Sequence, residues 1–134
     1  MSIQRNILQA GWEERDGKRV YHAVWNLCEA GKEVLAVEEL AEEKNVRMEL
    51  KGPLRSDTQH FFKDELLALA TADCDLVIDC RNLSSISNAC QIGLIETQQL
   101  MDAIGRGTLT LTGLPEPILA DFRATGVAGS LAIE

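Results

Sequence analysis

The stretch DLVIDCRNLSSISNACQIGLIETQQLMDAIG (75–105) decides the fold. Its opening DLVIDC (75–80) is short, apolar and β-branched, and predicts a strand buried on both faces, as in a parallel sheet. The polar run RNLSSISN (81–88) reads as a loop. ACQIGLIETQQLMDAIG (89–105) then reads as a helix ending at Gly105. Its first half is apolar almost all round, with Ala89, Cys90, Ile92, Leu94 and Ile95. Its second half is polar on one side, with Glu96, Gln98 and Gln99. Such a helix starts deep and ends at the surface.

Working back from this stretch, VLAVEEL (34–40) predicts a strand, AEEKN (41–45) a turn and VRMELKG (46–52) a second strand. In that second strand Val46, Met48 and Leu50 alternate with Arg47, Glu49 and Lys51. Phe62, Leu66 and Leu69 then repeat at helical spacing over 58–70, with Asp57 as the cap and Thr58 sharing the role. Working forward, TLTLTG (108–113) alternates as a strand. Pro117 opens a helix over 117–125 whose buried stripe is Ile118, Leu119 and Phe122, with Gly126 as its C-cap. SLAIE (130–134) is a short last strand. Alternating strand and helix imply an α/β fold: a mixed, mostly parallel sheet of four to five strands, packed with three to four helices through right-handed crossovers.

Residues 1–33 read as an extension packed on a domain spanning 34–134. Asp16-Gly17 is a hairpin signal between WEER and KRVYHAVW. Val20, Val24 and Leu27 equally fit one face of a helix stopping at Gly31. The hairpin is preferred up to about Val24, followed by a helical turn or two. The extension either covers a sheet edge, otherwise a pairing liability, or forms part of a homodimer contact. Trp12, Tyr21 and Trp25 are expected mainly to pack in the core.

Composition narrows the function. At 134 residues and 46% apolar content the chain can build a core without metal or disulfide staples. A net charge of −8 with scattered Lys and Arg excludes phosphate-backbone binding. The acidic run VEELAEEK (37–44) reads as a solvated surface. Nothing resembles a signal peptide or a run of about 20 apolar residues, so a cytoplasmic protein without direct membrane insertion is expected. Cys28, Cys74, Cys80 and Cys90 contain no CxxC pair, and His22 and His60 are not spaced as zinc partners. Buried thiols, and neither metal nor cofactor, are expected.

No phosphate-binding glycine motif, nucleophile elbow or HExxH occurs. Asp79, near the end of the 75–80 strand, is expected to cap the next loop. The informative junction is 80–90, because functional loops of such sheets lie where strands end. Ser84, Ser85, Ser87 and Asn88 precede the helix there. Ser87 or Asn88 can accept from first-turn N–H groups, and a helix start also favours an anion.

VRMELKGPL leading into a helix, LVIDCRNLSSISNACQIGLI and GTLTLTGLPEPILADFRATGV occur in this order and separation. From about residue 34 to 134 the sequence thereby resembles the STAS domain of the anti-sigma factor antagonists. The resemblance implies a non-enzymatic interaction module of a bacterial regulatory pathway, bound by a serine-kinase anti-sigma factor and switched by phosphorylation of a serine at the helix start. Against the family's D-S-[SA]-G-L segment, Ser87 falls on Asp, Asn88 on the first Ser, Ala89 on the phosphorylated Ser and Cys90 on Gly. Ala89 has no hydroxyl. The resemblance places the partner surface on Asp57, Ser84, Ser85 and Ser87, with Asn88, Ala89, Cys90 and Gly93. Ser87 and Ser85 are the candidate phosphoacceptors. The alternative is a STAS scaffold, or a soluble component of a signalling complex or of a lipid or anion transporter.

Overall fold

The computed structural model describes residues 2–105 and 107–134; Met1 and Arg106 lie outside it. The chain opens as a meander of four long antiparallel strands. They are β1 (Ile3–Arg15), β2 (Lys18–Glu29), β3 (Lys32–Glu42) and β4 (Asn45–Leu54). Asp16-Gly17 joins the first pair with φ of 52° and 77°. Two positive φ values in a two-residue turn match the right-handed twist of the strands it joins. Ala30-Gly31 repeats the same turn with φ of 52° and 77°. The helical turns expected after Val24 are therefore absent, and β2 continues through Glu29. The period of two wins because Trp25 and Leu27 lie opposite Val37 and Leu35, and all four side chains are buried.

From β4 the pattern changes to strand and helix in alternation. α1 (Gln59–Ala70), α2 (Asn88–Ile104) and α3 (Glu116–Thr125) connect β4 to β5 (Asp75–Ile86), β6 (Leu109–Thr112) and β7 (Ala132–Ile133). The strands lie in sequence order across one seven-stranded sheet. Its first three ladders are antiparallel and together pair more residues than its three parallel ones, so the sheet is mostly antiparallel by paired residues. The expectation of a mostly parallel sheet of four to five strands is corrected in both respects. Two-residue turns left no room for crossovers between the first four strands.

Right-handed crossovers between neighbouring strands put all three helices on one face. That inner face holds the core: Val46, Met48, Leu50, Leu76, Ile78, Leu109 and Leu111 from the sheet, against Phe62, Leu66, Leu94, Met101 and Phe122 from the helices. The segment 81–88, expected as a polar loop, is strand as far as Ile86. β4 extends with it, so that Lys51, Gly52, Pro53 and Leu54 pair with Asn82, Leu83, Ser85 and Ile86 across two register shifts. Burial of Leu83 anchors the extension despite the serines around it. Gly105 and Gly126 end α2 and α3 in the left-handed conformation, as their positions predict.

The opposite face carries charge. Asp79 is only 1% exposed because Arg47 and Arg81 lie over it, at 2.8 and 2.7 Å. These two guanidiniums, Arg81 foremost, hold its carboxyl below the usual carboxylate range. The Arg81 N–H also donates to Asp79 at 3.1 Å, which is the local bond expected, made within a strand. Nearby, His22 lies between Glu13 and Glu38, its Nε2 2.9 Å from Glu38. Within the acidic run 37–44, Glu39 departs from the solvated reading: it faces inward and is 9% exposed.

Candidate functional site

The parallel strands β4 and β5 end side by side, and each hands the chain to a helix. The Ser87 N–H donates to the Leu54 carbonyl at 2.8 Å, which locks the two exits together. Beyond Leu54, a short 3-10 turn over Ser56–Thr58 leads into α1. The Arg55 carbonyl accepts from the Thr58 hydroxyl at 3.0 Å and from the Cys90 thiol at 3.6 Å. The α2 start is thereby tied to the β4 exit. A shallow recess of about 430 Å³ lies between the exits, lined by Leu54 to Asp57 and Ser85 to Ser87.

Ser87 is the N-cap of α2, and its Oγ accepts from the Cys90 N–H at 3.2 Å. Such a cap contributes about 1 kcal/mol. Its hydroxyl is therefore committed and half-buried, while Ser84 and Ser85 stand exposed on the end of β5. Gln91 closes the junction by donating from Nε2 to the Ile86 carbonyl at 3.3 Å.

Asp57 does not cap α1, and neither does the Thr58 side chain. Asp57 instead binds Arg55 through two donors, with Nε at 2.9 Å. Arg55 also reaches Glu29 at the end of β2, at 3.5 Å. The Arg55–Asp57 pair thus forms a charged rim on the recess. A fork of two hydrogen bonds fixes its orientation in a way that a single contact would not.

Asn88 is exposed and Ala89 half-exposed, whereas Cys90 and Gly93 face the core. The expected site residues therefore separate into two sets. Asp57, Ser84, Ser85, Asn88 and Ala89 reach the surface around the two exits. Cys90 and Gly93 lie beneath it, with half-buried Ser87 between the two sets. Burial pushes the Cys90 thiol up, and pushes Cys80 up to about 12. Neutral thiols are poor nucleophiles.

Two surface residues escaped the sequence reading. Arg55 sits in an unremarkable loop. Ile92 was placed in the buried start of α2, yet it is 56% exposed. The signal was present: Ile92 follows Asn88 by four residues and precedes Glu96 by four, so it lies on the polar stripe. It gives the α2 start an apolar knob beside Asn88. No convergent group of three His, Cys, Asp or Glu able to hold a metal occurs among the described residues. No helix there is long and apolar enough to cross a membrane.

The family model described as "Mlab, STAS domain" matches residues 37–133. Among solved structures, a Thermotoga maritima protein assigned as an anti-sigma factor antagonist superposes with a TM-score of 0.63 at 13% identity. The match covers 71% of this chain and 82% of that one. The anti-sigma factor antagonist SpoIIAA in its unphosphorylated form superposes with a TM-score of 0.61 at 11% identity, covering 73% and 87%. At these identities the likeness is one of fold. No curated protein matches the sequence.

Proposed function

The chain belongs to the Mlab STAS domain family, and from that premise we propose that it is a non-enzymatic docking module for a regulatory protein, acting in the cytoplasm. The docking surface is the rim where β4 and β5 end: Arg55 and Asp57 on one side, Ser84 and Ser85 in the middle, Asn88, Ala89 and Ile92 on the other. The observation that carries this reading is Ile92, an apolar side chain 56% exposed on an otherwise polar stripe of α2, the helix whose N-cap Ser87 lines the recess with the Arg55–Asp57 ion pair. An apolar anchor inside a polar rim is the anatomy of a binding hot spot.

The partner is a regulatory protein of the anti-sigma factor class, in which a serine kinase binds this helix start. Ala89 changes how the module is controlled. A phosphoryl group at that position would bring about −1.5 to −2 charge into the interface, and alanine cannot accept one. Binding is therefore constitutive at position 89. Exposed Ser85 is a better displaced acceptor than Ser87, whose oxygen already caps the helix. Ala89 also favours a second reading, a STAS scaffold or a soluble transporter component, which docks through the same surface without a kinase.

The test is affinity capture from the source organism with the wild-type chain and Ile92→Glu in parallel. The wild type is expected to retain one partner whose affinity falls about tenfold or more with Ile92→Glu, at unchanged thermal stability. Equal capture by both chains contradicts the proposed surface. The partner's class, kinase or transporter subunit, separates the two readings.

A further inference from the structure

Of the six large apolar side chains exposed among the described residues, four lie on the first hairpin: Ile7, Leu8, Trp12 and Tyr21. β1 is also an edge of the sheet, 13 residues long and without proline. One side of its backbone is unpaired, which makes it a template for another strand. We propose that this edge pairs antiparallel with β1 of a second copy, giving a twofold dimer with one continuous sheet.

The register follows from a bulge. Ile7 lies opposite Trp25 and Gln9 opposite Val24, so Leu8 is an extra residue. The bulge reverses the alternation, and Arg5, Ile7, Trp12 and Glu14 all share the face of Leu27, Trp25, Tyr21 and Arg19. With Leu8 left out of the ladder and the twofold axis at Ala10, Ile7 faces the partner's Trp12 and Arg5 faces the partner's Glu14. Each contact occurs twice by symmetry. Shifting the register by two residues sets Glu14 against the partner's Ile3 or Ile7 instead. Only the proposed register among these matches charge to opposite charge and apolar to apolar. Arg5 is held on this face, stacked 4.2 Å over Trp25 and bound to Glu65 at 3.1 Å. Trp12 is braced edge-on by Tyr21 at 5.4 Å. The second copy is the occupant because the edge is complementary to itself when reversed.

Sedimentation equilibrium of the full chain over a concentration series tests this, with amide exchange measured at both ends of the series. A dimer is expected, with β1 amides exchanging more slowly as concentration rises. Trp12→Glu and Glu14→Arg are each expected to raise the dimer dissociation constant about tenfold. Both side chains are exposed, and an unchanged circular dichroism spectrum establishes that each variant is folded. A chain monomeric throughout overturns the proposal. So does a dimer indifferent to both substitutions, or one that leaves β1 exchange unchanged.

Discussion

Gly107→Ala is expected to destabilise the chain by about 4 kcal/mol, lowering the melting temperature by roughly 15 °C. Gly107 has φ of +79°, and a Cβ built there would lie 2.8 Å from the carbonyl carbon of Cys74 and closer still to its oxygen. The left-handed conformation costs an alanine about 1–2 kcal/mol. The collision is with backbone, which cannot rotate away as a side chain can, and overpacking adds about 1–3 kcal/mol. Gly105 is the internal control, with a similar φ of +73° but open space where its Cβ would go. Gly105→Ala should show the conformational cost alone. Chemical denaturation of both variants checks this. Equal losses would mean that the loop from α2 to β6 yields, and that its packing against the start of β5 is soft.

The second large effect is a pH dependence centred on Glu39. Its Oε2 accepts from Trp25 Nε1 at 3.2 Å, and its Oε1 is buried without a hydrogen-bond partner among the described residues. Burial pushes its carboxyl up to about 8, and the neighbouring Glu65 adds to this, against smaller opposing effects of Trp25 and Arg5. The folded chain therefore holds a proton that the unfolded chain, with an ordinary Glu near 4.5, releases. The stabilisation is complete below about pH 4.5 and is lost as pH rises through about 8. Its size is on the order of 3 kcal/mol. His22 acts in the same direction. Glu38 chiefly, and then Glu13, raise its value above 6.5, so its contribution is present below that pH and fades above it. Wild-type stability is expected to fall from pH 5 to pH 9. Glu39→Gln removes the titration, so its profile should be flatter and cross above the wild type near pH 8. Urea melts across the range decide it, and parallel profiles for the two chains would contradict the assignment.

What was legible in the sequence follows period and punctuation. Val46, Met48 and Leu50 against Arg47, Glu49 and Lys51 placed β4 correctly, because one face is core and the other water. Asp16-Gly17 marked the first hairpin because its turn demands positive φ. Ala30-Gly31 makes the same turn, but Val20, Val24 and Leu27 also satisfied a helical spacing, and only pairing with β3 separates the two. Ser84 and Ser85 hid the end of β5, since strand there depends on a long-range partner in β4. Ile92 was obscured because an apolar run looks buried until the helix's phase is fixed. Glu39 was read with its acidic neighbours as solvated, although the alternation that puts Val37 in the core puts Glu39 there too.

The measurement that bears most directly on the docking surface is hydrogen exchange of the chain with and without its captured partner. Slowed exchange over residues 54–58 and 84–96, with the open face of the sheet unchanged, is the predicted footprint. Protection confined to the open face around Asp79 and His22, with the β4 and β5 exits exchanging as in the free chain, would contradict it.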